Sequence, residues 1–593
     1  MAGAMYTLLS LCLSLGQPPL ASAYFSEERQ PGESPLQSPT VLITIIARNT
    51  AHTLPYYLGA IERLDYPKDR ISIWAATDHN IDNTTAILLE WLTSVRRFYH
   101  YIEWRPMDEP VSYPNELGPK HWTHSRFEYI MKLKQAALKS ARKQWADYIL
   151  YVDTDNILTN DQTLKQLIAE NKTVVAPLLV SQTAYSNFWC GITPQYLRPR
   201  KTKLPFCSFL LSFATSLPLL PLCSLLSPYP TVIAPVSNTL YPNELIFTME
   251  PACSIHSEVQ MYVCNKERYG FTNVPGKPES TLEDDSLNFV HLMLDAMIDG
   301  PPMYPSGFTH LPPKYPDKMI FDEVFLINLK RRPDRRKRML QALYEQEIDC
   351  KIMDAVDGSA LNSSTIKSMG INMLPEYYDP FSGRTLTKGE VGCFLSHYSI
   401  WKEVVDRNLS KAVVFEDDVR FEAYFKRKLV RLLREVEDVG LNWDLIYLGR
   451  KRVNPKQEEA SANVQNLVVA GYSYWTLAYA ISQQGAKKLI DSDPLKKILP
   501  VDEFLPIMYD KHTNEEYKKV YPKRDLKAFS VHPLLVFPTH YTGDPAWHSD
   551  TETSTIWDDD SVKTDWSGSQ KTLKDSQGGT SRQSISSSSR DEL

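Results

Sequence analysis

Lys411-Ala412-Val413-Val414-Phe415-Glu416-Asp417-Asp418-Val419-Arg420-Phe421 runs from four apolar residues straight into three carboxylates. The apolar run predicts a buried parallel strand, and the acids then fall at its carboxyl end, where open α/β sheets place their ligands. Three adjacent carboxylates repel one another, so a positive group is expected among them. A hard divalent cation suits, because such ions take one or two carboxylates together with phosphate oxygens. A solvated acidic turn is the plain alternative.

The arrangement occurs twice. Asp147-Tyr-Ile-Leu-Tyr-Val-Asp153-Thr154-Asp155-Asn156 is again an apolar strand ending in spaced acids. Such a pair suits a cation bridging the diphosphate of a nucleotide-sugar, whose charge grows as it departs.

Composition sets the frame. A chain of 593 residues, 43% hydrophobic, is long enough for about three to four domains or two large ones. Its net charge of −6, with both signs interspersed, excludes the basic field that nucleic-acid binding needs. Residues 5–16 are an apolar run too short to span a bilayer, followed by Ala21-Ser22-Ala23, so residues 1–23 read as a signal peptide. Arg590-Asp591-Glu592-Leu593 resembles the K-D-E-L type of retention signal, read by a receptor. Both ends thus point to the lumen of the endoplasmic reticulum. Sequons at Asn83, Asn171, Asn362 and Asn408 agree. The cysteines left after signal removal are odd in number and lack metal-ligand spacing, so few disulfides and no zinc site are expected.

Taken in order, residues 24–40 form a polar, Pro-rich leader. Strands are predicted at Val41–Ala47 and Ile71–Asp78, and helices at Leu54–Arg63, Thr84–Phe98, Lys120–Ser140 and Gln162–Asn171. The alternation argues an α/β domain over 41–299 with a mainly parallel sheet. Asp153 and Asp155 are its candidate metal ligands, and Asp78 would face ribose or base. A Pro-rich linker is expected at 300–318. A second α/β domain, 319–561, opens with the strand Phe321–Leu329 and the basic start Lys330-Arg331-Arg332-Pro333-Asp334-Arg335-Arg336. Backbone amides at a helix N-terminus with arginines suit a diphosphate, although a solvated helix start reads equally well. A strand near Lys351–Asp354, a helix Val391–Asp406 and a strand Trp443–Gly449 follow, and residues 562–593 form a Ser/Gly/Lys-rich tail.

The chain resembles glycosyltransferase family 25 in its two-domain animal form, the collagen hydroxylysine galactosyltransferases. The resemblance is carried by Phe325-Leu-Ile-Asn-Leu-Lys-Arg-Arg-Pro-Asp-Arg-Arg336, Lys388-Gly-Glu-Val-Gly-Cys-Phe-Leu-Ser-His397, Phe415-Glu-Asp-Asp418, Ser473-Tyr-Trp-Thr-Leu477, Leu499-Pro-Val-Asp502-Glu503-Phe-Leu-Pro506 and Pro538-Thr-His540-Tyr-Thr-Gly543. In the first half, Ala75-Ala-Thr-Asp-His-Asn80, Gly118-Pro-Lys-His-Trp122 and Asn187-Phe-Trp-Cys-Gly-Ile-Thr193 match too. It implies two tandem GT-A-like, Rossmann-type domains, Mn²⁺, UDP-galactose as donor and a collagenous polypeptide as acceptor. A homo-oligomer is a further expectation. Thr385–Val391, Val468–Ala478 and Trp557–Ser561 also resemble a branch of the family regarded as inactive, acting in adhesion or protein interactions.

Residues 196–257 depart from the family pattern. An apolar block from Leu204 to Leu226 invites a membrane reading. It contains Pro205, Pro218 and Pro221, and a span would leave the retention signal in the cytosol. The reading preferred is an atypical segment, without the expected second acidic pair, that cannot finish the first domain.

For the second domain, Glu416, Asp417 and Asp418 are assigned to the metal–diphosphate cluster, with His540 as a further metal or phosphate contact. Asp502 or Glu503 is the candidate base, though a helix-start acid facing the dipole would look the same. His397 either reaches the cleft or caps the core. Asn328, Arg331, Arg335 and Arg336 are candidate contacts to the diphosphate or uridine.

Overall fold

The computed structural model describes residues 38–181 except 108, residues 232–235, and residues 261–551 except 380–382, 454–457, 462 and 542–549. The signal-peptide, apolar-block and retention-signal readings lie outside the described residues. The chain forms two compact units, Met1–Ala296 with Pro301–Pro312, and Met297–Gly300 with Pro313–Leu593. Among the described residues no helix is long and apolar enough to cross a membrane.

The first unit is built on strands β1 (Val41–Ala47), β2 (Ile71–Thr77), β3 (Tyr101–Arg105), β4 (Tyr148–Tyr151), β6 (Val174–Pro177), β7 (Val232–Pro235) and β8 (Met261–Cys264), in the order β3-β2-β1-β4-β7-β6-β8. A small ladder pairs β5 (Asn156–Ile157) with β9 (Phe271–Thr272). Helices α1 (Leu54–Arg63), α2 (Thr84–Val95), α3 (His124–Lys143), α4 (Thr163–Ala169) and α5 (Leu282–Ala296) complete it. β1 is apolar almost throughout because it is paired on both edges and covered on both faces. The sheet is less parallel than the sequence suggests. β7 runs antiparallel to both β4 and β6. It comes from the very segment expected not to finish this domain, so four residues of that segment stand in the sheet's interior. Pro301–Pro312, within the Pro-rich stretch, lies against α1, where a Cβ on Gly59 would come 2.7 Å from the Pro305 carbonyl carbon.

The second unit has strands β10 (Glu323–Asn328), β11 (Lys351–Asp354), β12 (Lys411–Phe415), β14 (Leu445–Arg452), β15 (Leu467–Val469), β16 (Ser473–Ser482) and β17 (Ala528–Val531), ordered β11-β10-β12-β16-β14-β17-β15. β13 (Val419–Phe421) pairs with β18 (Val536–Pro538) beside it. Its helices are α6 (Pro333–Glu345), α7 (Ser363–Ser368), α8 (Lys388–Asp406), α9 (Phe425–Asp438), α10 (Gln483–Asp491), α11 (Val501–Met508) and α12 (Glu515–Val520). β12 is parallel to β10 on one side and antiparallel to β16 on the other. Strand order reverses between β1 and β4 and between β10 and β12, so both acid-bearing strands, β4 and β12, flank the kind of point at which such sheets open a crevice.

Trp401 on α8 anchors the second core. It is fully buried, edge-on to Phe394 and close to Phe504, and its indole N–H donates to the Tyr479 hydroxyl at 2.9 Å. Trp401→Ala is expected to destabilise this unit by about 3–5 kcal/mol, read as a lowered urea midpoint. A loss below about 1 kcal/mol would contradict this packing.

Candidate active site

In the second unit the turn Glu416-Asp417-Asp418 is fastened on two sides. The Glu416 N–H donates to the Leu477 carbonyl at 3.0 Å, and the Thr539 N–H to the Asp418 carbonyl at 2.8 Å, which brings His540 beside the acids. Asn328, at the end of β10, donates its amide to Asp417 Oδ2 at 2.6 Å. Pro333 opens α6 with φ preset for a helix, and one turn of that helix carries arginines onto the acids. Arg335 reaches Asp417 Oδ1 at 3.2 Å and Asp418 Oδ2 at 3.4 Å, and Arg338 donates to the Asp417 carbonyl at 2.8 Å. Burial, then the neighbouring Asp418 charge, pushes the Glu416 and Asp417 carboxyls up, while Arg335 pulls the other way.

Asn328, Arg335 and the three acids line a cleft of about 690 Å³ that also receives Arg331, Asp502, His397 and His540. α8 forms one wall. A capping box starts it, with Thr387 Oγ1 accepting from the Glu390 N–H and Glu390 accepting from the Thr387 N–H, and Arg384 grips Glu390 with two hydrogen bonds. The helix lies so close to the loop after β11 that a Cβ on Gly392 would meet the Val356 carbonyl oxygen at 2.4 Å.

The two candidate bases have different surroundings. Glu503 is buried and occupied, accepting from the Tyr472 hydroxyl at 3.0 Å and facing His512 Nε2 at 2.5 Å. Asp502 is only partly buried and its pKa is raised to about 7, by burial first and then by the charge of Glu503. His397 does both things left open by the sequence. Its ring packs in the core near Trp401, Nδ1 meets the Tyr479 hydroxyl at 3.0 Å, and Nε2 meets Glu416 Oε1 at 3.2 Å. Arg336 does not line the cleft, and lies 3.8 Å from Asp354.

Sequence reasoning missed Asp550. Its carboxylate pairs with Arg331 at 2.6 Å and Arg332 at 3.0 Å and lies 3.5 Å from Arg335. Despite burial, these guanidiniums hold its carboxyl below the usual range. A lone acid in a polar C-terminal stretch carries no signal that it folds back onto arginines more than two hundred residues earlier.

The first unit gathers its own acids. The Thr53 hydroxyl donates to the Thr154 carbonyl at 3.0 Å and the Tyr57 hydroxyl to the Val152 carbonyl at 3.0 Å, fixing the turn that holds Asp153 and Asp155. Lys134 lies 3.6 Å from Asp153. Burial and then the Asp153 charge raise the Asp155 pKa to about 7. Asp285, at the start of α5, was also missed. It pairs with Lys120 at 2.7 Å and His52 at 2.9 Å, which hold its carboxyl below the usual range against its burial. An acidic cluster at a helix start (Glu283-Asp284-Asp285) gives a sequence reader only a dipole argument. Asp78 is fully buried, bonded to the Tyr113 hydroxyl and to His79, with Arg48 3.9 Å away.

The donor set of the second unit fits a hard divalent cation. Glu416, Asp417 and Asp418 bring three carboxylates to the lining of one cleft, and Asp418 Oδ1 and Asn328 Oδ1 are buried there without a hydrogen bond, oxygen donors of the kind such an ion takes.

Comparison with known proteins agrees with the tandem arrangement. The profile described as "Glycosyltransferase family 25, N-terminal domain" matches residues 38–206 and 233–293. "Glycosyltransferase family 25 (LPS biosynthesis protein)" matches residues 321–505. The mouse protein named procollagen galactosyltransferase 2 is 58% identical over 90% of this chain and 87% of its own length. The human protein named inactive glycosyltransferase 25 family member 3 is 54% identical over 99% of both chains. Among solved structures, S. aureus TarS 1–349 matches with 17% identity and a TM-score of 0.25, over 44% of this chain and 66% of that one.

Proposed function

Because the chain belongs to glycosyltransferase family 25, we propose that its second unit transfers galactose from UDP-galactose to hydroxylysine of a collagenous polypeptide, in the lumen of the endoplasmic reticulum. The observation that carries the reading is the convergence of Glu416, Asp417 and Asp418 with Arg331, Arg335 and Asp502 in one cleft. Glu416, Asp417 and Asp418 would hold Mn²⁺, which when bound offsets the charge of the departing diphosphate. Arg331 and Arg335 bind that diphosphate as paired donors of fixed geometry. Asp502 takes the proton of the acceptor hydroxyl as its oxygen attacks the anomeric carbon from the face opposite the diphosphate, so an α-linked donor gives a β-galactoside. A carboxylate titrating at about 7 is matched to that task. In the first unit, Asp153 and Asp155 form a second site for a cation and nucleotide-sugar. The luminal assignment is supported by the exposed sequon asparagines Asn83, Asn171, Asn362 and Asn408.

The test is transfer itself: purified chain, UDP-galactose, Mn²⁺ and a hydroxylysine-containing collagen peptide, read by mass. Galactose on the peptide is the expected result. A second reading, a fold without turnover, is favoured by the relative named inactive that matches along the whole chain. Mn²⁺-dependent UDP binding without transfer, alongside an active relative as control, would establish that reading instead.

A further inference from the structure

The geometry points to a second kind of metal site in the floor of the same cleft: Cys393, His397 and Glu416 form a three-residue seat for a thiophilic divalent cation such as Zn²⁺. Cys393 and His397 stand one helical turn apart on α8 and so share a face. Glu416, at the end of β12, faces that turn. The sulfur, an imidazole nitrogen and a carboxylate oxygen lie within 4.8 Å of one another. Tetrahedral zinc, with bonds of about 2.0–2.3 Å to such atoms, needs the three drawn in by roughly 1 Å. Residue spacing alone excluded zinc because only two of the ligands share an element, and the third arrives from a strand.

The surroundings suit an ion. Behind the ring, Tyr479 meets His397 Nδ1 at 3.0 Å and itself accepts from Trp401 at 2.9 Å. That outer pair fixes the ring so that Nε2 faces Glu416, the arrangement that metal-ligating histidines use. His397 Nε2 and Glu416 Oε1 are already in hydrogen-bond contact, 3.2 Å apart.

On binding, the Cys393 S–H proton leaves to solvent, His397 Nε2 and Glu416 give up any proton they share, and bonds form from the cation to sulfur, nitrogen and oxygen. The thiolate and the carboxylate then offset the dication, so no uncompensated charge is buried. The fourth position opens on the cleft. Glu416 is shared with the proposed Mn²⁺ cluster, so a thiophilic ion seated here would inhibit transfer. That last consequence rests on the proposed function, whereas the binding does not.

Cobalt is the probe, because a cobalt–thiolate bond absorbs in the near ultraviolet. The full chain, reduced, is titrated with Co²⁺ and then Zn²⁺. One equivalent should raise a thiolate band that Zn²⁺ abolishes. Cys350→Ser, which alters another free cysteine, should keep the band, and Cys393→Ser and His397→Gln should each lose it, with Zn²⁺ affinity at least about tenfold lower. Circular dichroism and melting of Cys393→Ser, matched to the parent, exclude misfolding as the cause, and Cys393→Ala serves if serine disturbs the helix. A band that survives in Cys393→Ser, or no band in the folded parent, overturns the site. Loss of transfer with the band intact would count against the proposed function alone.

Discussion

Asp418→Ala is expected to bring galactose transfer below detection while the second unit stays folded. The variant removes Oδ1, which has no hydrogen bond, and Oδ2, whose 3.4 Å contact is with Arg335, a side chain that keeps Asp417 and Asp550 as partners. It also removes one of three adjacent carboxylates; after burial, the charge of Asp418 is the next cause that raises Glu416 and Asp417. Thermal stability should therefore be unchanged or slightly higher. Losing a ligand of the ion that stabilises the departing diphosphate costs several kcal/mol at the transition state, a factor on the order of 10³ or more in rate. The measurement is galactose incorporated per mole of protein, paired with a melting curve. Undiminished turnover would remove the acid turn from the mechanism.

Asp502→Asn should lower kcat by about 10²–10⁴-fold, the usual contribution of a positioned general base, with little change in the KM for donor. The base works when deprotonated. In the parent, kcat/KM should therefore rise with pH through about 7, and the variant should lack that limb. Stability runs the other way. Folding raises this carboxyl from 3.8 to about 7, so its contribution to stability is full below pH about 4 and is lost as pH rises through 7. At pH 8 the asparagine variant should melt higher than the parent while turning over far less. Glu503→Gln gives the contrast. Its bonds to Tyr472 and His512 are structural, so its main effect should be a lower melting temperature. If Glu503→Gln instead abolishes kcat with stability intact, the two acids have been assigned in the wrong order.

Much of this architecture was legible because apolar runs long enough for one strand were each stopped by a polar residue. Val41–Ala47, Ile71–Thr77 and Lys411–Phe415 are strands of that kind. The helix predicted at Val391–Asp406 begins three residues earlier, at Lys388, because its capping box lies upstream of the apolar run. β16 escaped detection. Ser473–Ser482 mixes tyrosines, tryptophan and threonine with small residues, and it earns its central position by pairing with β12 and β14, information no local window contains. The metal-type acids could be read because repulsion between neighbours is visible in one dimension. Asp285 and Asp550 could not, since their significance lies in Lys120, His52 and the Arg331–Arg335 group, which only the folded chain brings near.

The interior position of β7 has a consequence for how the first unit assembles. During synthesis β1 to β4 and β6 all emerge before residue 232, yet among the described residues β4 and β6 are joined through β7. Until then the nascent sheet waits as an incomplete platform with a raw edge at β4, able to recruit a foreign strand. Closure depends on a long-range pairing, which is slow compared with local helix formation. Lengthening the intervening chain adds only about 0.6 kcal/mol per doubling to the cost of closure, so the hazard is one of waiting time rather than equilibrium. Chaperone capacity, more than intrinsic stability, would then set the yield of this unit in a cell.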